Sequence, residues 1–139
     1  MAQLDPDYDD KAYLCGRLFE TLSEIQRAAL GETNTTVASR YFGAASSTPQ
    51  TVFPRLINVA NGHFARLERT NKGARINLEK QLLAITDQID HEFPASLSAS
   101  EQGRFMLGYY HQRAARFRSA VKTPDASQND VSTSESEQE

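Results

Sequence analysis

Arg55, Asn58, Gly62, Arg66 and Arg69 form a line at helical spacing with no acid in it, and Glu68 lies off that line. At 3.6 residues per turn they share one side of a helix, while Phe53, Leu56, Ile57, Ala60, His63, Phe64 and Leu67 share the other. Guanidinium groups in a row suit phosphate oxygens, which they meet by charge and by forked hydrogen bonds. The chemistry expected is binding that is salt-sensitive and indifferent to base sequence. A glycine inside a helix costs about 1 kcal/mol relative to alanine, so Gly62 on the polar side points to close approach by a phosphodiester backbone or a neighbouring subunit. Lys72, Arg75 and Lys80 extend the positive region across the next turn. A solvated helix surface presents the arginine pattern without any partner and weighs equally with binding, until Lys72, Arg75 and Lys80 tilt the balance modestly toward binding.

The last helix repeats the arrangement more weakly. Arg104, Gly108, His111, Ala115 and Arg118 share one face, and Phe105, Met106, Tyr109, Tyr110 and Phe117 fill a broad opposite face that is expected to be core. Arg113 projects with the aromatic residues, where stacking on a ring or pairing with a carboxylate is the structural expectation. Tyr109 and Tyr110 are expected in the core; exposure of either would make it a candidate for base stacking. His63 is expected as a satisfied histidine at the edge of the core, and His111 as a hydrogen-bonded or surface residue.

Motifs for catalysis are missing. The sequence has no Gly-x-Ser-x-Gly elbow, no Gly-Lys-Ser phosphate loop and no His-Glu-x-x-His pair. His63, His91 and His111 fall in separate helices and Cys15 is the single cysteine, so neither a metal site nor a cofactor is expected. The chain reads as a binding protein rather than an enzyme.

Those side chains need helices to hold them. Asp5-Pro6 offers a start for a first helix reaching Leu30, with Leu14, Leu18, Leu22, Ile25 and Ala29 on one face. A short helix is expected between Glu32 and Ser47. Thr48-Pro49, with Pro54 as a competing start, opens a long helix to about Thr70. Asn71-Lys72-Gly73 reads as a turn, and Leu78, Leu82, Ile85 and Ile89 mark a further helix ending before Phe93-Pro94. Ser98-Ala-Ser-Glu101 has capping-box spacing and starts a last helix to about Arg118. No stretch alternates as a strand does. The expectation is an all-α fold, a compact bundle of four to five helices with a disordered acidic C-terminal tail.

At 139 residues the chain is expected to form one domain, 11–118, between an acidic leader, 1–10, and the tail, 119–139. The net charge of -3 conceals a segregation. Residues 1–10 hold four aspartates and no cation, and 119–139 hold Lys122 against five acids, which leaves the body at +5. A basic body is compatible with a polyanionic partner without requiring one. The lone cysteine, the absence of a signal-peptide pattern and the absence of a long apolar run lead to a cytoplasmic expectation, with no membrane partner.

Two segments carry a resemblance, Arg40-Tyr-Phe-Gly-Ala-Ala-Ser-Ser-Thr-Pro-Gln-Thr-Val-Phe-Pro-Arg-Leu56 and Glu101-Gln-Gly-Arg-Phe-Met-Leu-Gly-Tyr-Tyr-His-Gln-Arg113. From about Ala12 to Phe117 the chain resembles the C-terminal region of the large subunit of type I-C CRISPR surveillance complexes, which can be made separately as the small subunit. The matching positions are Tyr41, Phe42, Gly43, Pro49, Phe53, Pro54, Gly108, Tyr109, Tyr110, His111, Gln112 and Arg113, most of them read as packing residues. The resemblance implies a helical bundle, not a nuclease. It implies as partners the crRNA-bound backbone subunits, the large subunit, additional copies of the same chain, and the target or non-target DNA strand of an R-loop. Guide pairing supplies the sequence specificity in such systems. The large N-terminal part that would read the PAM has no counterpart here, so no PAM role is expected, and Met1 with its short acidic leader fits a separately translated small subunit. The nucleic-acid-binding residues expected are Arg55, Arg66, Arg69, Lys72, Arg75, Lys80, Arg104 and Arg118. The competing expectation is a structural spacer whose arginines meet acids of neighbouring subunits.

Overall fold

Asp10, not Asp5, opens the first helix: its carboxylate accepts from the Tyr13 amide at 3.0 Å, and α1 runs over Lys11–Leu30. The computed structural model describes residues 3–32 and 36–128, with side-chain surroundings up to Arg118. The other helices are α2 (Val37–Ser47), α3 (Pro49–Thr70), α4 (Lys72–Ile89) and α5 (Ala99–Gln128). The fold is all-α, a five-helix bundle, with no strand among the described residues. Residues 5–10 lie against the bundle: Tyr13 Oη meets the Asp5 amide at 3.1 Å, and Gln88 Nε2 donates to the Pro6 carbonyl at 3.0 Å.

Local chemistry accounts for the joints. Thr36 and Ser39 form a reciprocal capping box at the start of α2. Helix α3 begins at Pro49 and continues through Pro54, which deprives the exposed Gln50 carbonyl of one ladder bond that water can replace. The expected turn contracts to Asn71, which ends α3 and caps α4 through its side chain on the Ala74 amide. Asp90, in the left-handed region at φ 65°, ends α4, and Ser98 with Glu101 exchanges both capping-box bonds ahead of α5. Past Arg118, where the sequence places the end of the last helix, the backbone of 119–128 continues α5. The rest of the expected acidic tail, 129–139, lies outside the described residues.

Helix α1 is the axis of the bundle, packed against each of α2, α3, α4 and α5. The expected stripe of Leu14, Leu18, Leu22, Ile25 and Ala29 is buried, but so are Tyr13, Cys15, Arg17, Phe19, Glu20 and Thr21 around the rest of the helix. Phe19 gathers Phe42, Phe53, Phe105 and Tyr109 with ring centroids 5.6, 6.4, 5.9 and 6.0 Å away. Phe42 in turn meets Phe105 at 5.5 Å and Tyr109 at 5.2 Å, both edge to face. Edge-to-face pairs add about 0.5–1.5 kcal/mol each beyond burial. The segments 40–56 and 101–113, far apart in sequence, are thus two walls of one aromatic core.

Contact between α1 and α5 is closest at two glycines. A Cβ on Gly108 would overlap the Tyr13 carbonyl oxygen and lie 3.2 Å from the Arg17 amide, and one on Gly16 would lie 2.8 Å from the Tyr109 amide. Around this crossing, buried polar groups find partners. Arg17 Nε donates to Gln112 at 2.9 Å, and Arg116 grips Glu20 with two bonds at 3.0 and 2.5 Å while donating to Gln81 at 3.1 Å.

Candidate nucleic-acid interface

Because Phe53, Leu56, Ala60, Phe64 and Leu67 of α3 turn inward, the helical period turns Arg55, Asn58, Gly62, Arg66 and Arg69 outward, and all five are exposed. A Cβ on Gly62 would meet nothing within 4 Å, so this gap is open to an approaching surface. Arg55 has no ion-pair partner among the described residues. Arg69 lies along its own helix, with Nη1 donating to the Ala65 carbonyl at 3.3 Å. Arg66 differs: its Nε donates to the Ala29 carbonyl at 2.9 Å, satisfying one of the last acceptors of α1.

Beyond Asn71 the positive region is partly neutralised. Glu68 stands 3.5 Å from Lys72 Nζ and 2.5 Å from Arg75 Nε, the latter an ion pair without hydrogen-bond alignment, and Arg75 also meets Glu79. Two cations and two carboxylates leave this cluster with little net field. Lys80 is exposed and has no ion pair among the described residues.

Helix α5 is rotated relative to expectation. Its Arg104–Gly108–His111 face lies against α1: Arg104 Nε donates to Asp10 at 3.1 Å and Nη1 to Ser100 at 3.0 Å, while His111 Nδ1 shares a hydrogen bond with Tyr13 Oη at 2.9 Å. Arg104 therefore braces the cap of α1. Arg118 is exposed. Of the face expected to be core, only Phe105 and Tyr109 are buried; Met106, Tyr110 and Phe117 are 49%, 55% and 56% exposed. Arg113 is exposed too, its guanidinium 5.2 Å from the centre of the Phe117 ring. Gly16 and Gly108 let the backbones of α1 and α5 meet, so that Phe105 and Tyr109 turn to Phe19 while Met106, Tyr110 and Phe117 face outward. His63 lies half-buried at the core edge, but its Nε2 has no hydrogen-bond partner, and burial pushes its pKa below the usual histidine value.

Of the expected cations, Arg66 is exposed but tied to α1 and Lys72 is exposed but paired, which leaves Arg55, Arg69, Lys80 and Arg118 exposed with neither tie among the described residues; Arg40 on α2 and Arg113 on α5 are exposed cations outside the expected set. This arrangement can hold phosphates by charge; nothing on it reads base edges. Among the described residues no three His, Cys, Asp or Glu side chains converge as a metal site, and no helix is long and apolar enough to cross a membrane. A family model described as CRISPR-associated protein (Cas_Csd1) matches residues 1–117. No curated protein matches the chain.

Proposed function

This chain belongs to the Cas_Csd1 family of CRISPR-associated proteins, and from that premise we propose that it acts as the small subunit of a type I-C crRNA-guided surveillance complex in the cytoplasm. In this reading it stabilises the R-loop through sequence-independent contacts to the target or displaced strand. Its partners are the crRNA-bound backbone subunits, the large subunit and further copies of itself, and it binds without turning over substrate. The observation that carries the reading is the acid-free outer line of α3, with Arg55 and Arg69 flanking the open gap at Gly62. Few phosphates are met per copy. One copy therefore binds weakly and only at low salt, and copies held side by side add their contacts at high effective concentration, so affinity at higher salt emerges on assembly.

The test is target-DNA binding by the complex assembled with and without this chain at two salt concentrations, then with Arg55→Glu plus Arg69→Glu. Arg66 is left in place because it caps α1. Loss of affinity, with the salt slope reduced by about 0.7–0.9 per phosphate contact removed, supports the reading. Unchanged affinity and slope sink it. A second reading, a structural spacer, is favoured by exposed Met106, Tyr110 and Phe117, a surface better suited to protein than to phosphate. Under that reading the charge reversal, or Tyr110→Ala with Phe117→Ala, releases the chain from the complex in size-exclusion chromatography.

A further inference from the structure

Three concave surfaces differ in charge. The largest, between α1, α4 and α5, contains Glu24 with Arg27 and Arg116, and a second, beside α1 and α5, contains Glu20, Glu24 and Glu32. The second also contains Arg27 and Arg113, but Arg27 is held by Glu24 and Arg116 by Glu20, so at both surfaces carboxylates already engage the arginines. The third is a shallow groove of about 190 Å³ between α2 and α3, lined by Arg40, Tyr41, Arg55, Val59 and the amide of Gln26, with no carboxylate among its lining residues. It is smaller than small-molecule sites, which start at about 300 Å³, and it suits one flat group with an anion beside it.

We infer that this groove seats one nucleotide of a single strand, its phosphate between Arg40 and Arg55 and its base against Tyr41 and Val59. The inference rests on the reading of the chain as a DNA-contacting subunit and adds a position and a strandedness to it. Tyr41 is half-buried against the core, and the Arg40 guanidinium stands 5.8 Å from the centre of its ring, a place the base takes when the guanidinium turns to the phosphate. Val59 is 47% exposed and supplies an apolar edge. The phosphate must rely on the guanidinium groups, because nearby amides of α2 are taken: Val37 N–H donates to Gln26 Oε1 at 2.8 Å and Ser39 N–H to Thr36 Oγ1 at 2.9 Å. A paired base cannot enter, since its face is covered by its neighbours in the stack. Arg55 joins the groove to the line along α3, giving the strand a path from Tyr41 past Gly62 to Arg69.

The test uses the full chain with an oligothymidylate carrying 5-iodouracil, photo-crosslinked and mapped by mass spectrometry, alongside binding at low salt to the same strand and to its duplex. Expected are a crosslink in the peptide containing Tyr41, weaker binding to duplex, and a roughly 5- to 150-fold loss with Tyr41→Ala, the range for one stacked base. Tyr41→Phe retains binding, and Arg40→Ala, at an exposed position, lowers it without touching the core. A crosslink confined to α5 or to the Arg69 end overturns the groove while leaving DNA contact by the chain standing. Equal affinity for duplex and single strand overturns it as well, as does the absence of saturable binding at low salt, whatever the chain does within the complex.

Discussion

Gly62 and Gly108 occupy the same place in two nearly identical patterns, a glycine midway along a helix face bounded by arginines, and the fold uses them in opposite ways. At Gly108 the gap is filled by the α1 backbone; at Gly62 it is empty. The arginines follow suit. Arg104 is tied to Asp10, whereas Arg55 and Arg69 form no ion pair among the described residues. An Arg/Gly face therefore does not say by itself whether the fold fills its gap. What decides is whether the opposite face of the same helix already owns a core: α3 has one in Phe53, Leu56, Phe64 and Leu67, while α5 divides its aromatic residues between inside and outside.

Substitution at the two glycines separates them most sharply. Gly108→Ala drives a methyl into backbone atoms that cannot swing aside, and the expected loss is about 3 kcal/mol or more, roughly 10 °C in Tm by circular dichroism. An unchanged Tm would mean that the α1–α5 crossing is wrong. Arg116→Met, on the same side of the comparison, strands the Glu20 carboxylate at 6% exposure and costs about 3–5 kcal/mol in urea denaturation, most of it recovered when Glu20→Met is added. Gly62→Ala has the opposite sign. It raises stability by up to about 1 kcal/mol, and weaker target-DNA binding by the more stable protein would identify the gap as a contact.

Cys15, beside Gly16 in the tight crossing, offers a finer probe. Burial pushes its thiol from 9.0 up to about 12, so its share of stability is intact below pH 9 and is lost as pH rises toward 12, when only the unfolded chain deprotonates. Native protein should resist iodoacetamide at pH 8 and react fully in denaturant; rapid native labelling would show that the crossing opens. Smallest of all is the effect expected of Arg55→Glu with Arg69→Glu on folding, within about 0.5 kcal/mol, because neither arginine supports the core. A larger shift in the urea midpoint would assign them a structural role.

The sequence made α3 legible because one helix contained all the information: an apolar stripe, an acid-free stripe opposite, and a glycine on the outer line. The faces of α5 are not decided within α5. Its small-residue face and its aromatic face are both plausible interiors, and the choice lies in Gly16 on another helix. Likewise Asp5-Pro6 is a good start signal, yet Asp10 wins because its carboxylate serves the Tyr13 amide and Arg104 together. The partners of Lys72 and Arg75 were nearer to hand, since Glu68 and Glu79 lie at helical spacing from them. Arg66 was harder: nothing in α3 reveals that the end of α1 stops beneath it. Arg40 and Tyr41 were visible as residues, but a groove shared by two helices is not.

The crossing of α1 with α5 also sets an order in time. Glu20 and Arg116, which close on each other in the finished molecule, are 96 residues apart, and at ribosomal speeds the second emerges roughly 5–20 s after the first. For that interval the future axis of the bundle has α2, α3 and α4 to lean on but lacks its largest neighbour, and its buried-to-be arginine and glutamate stay hydrated. Of the described helices, the last to be made is the one that completes the core.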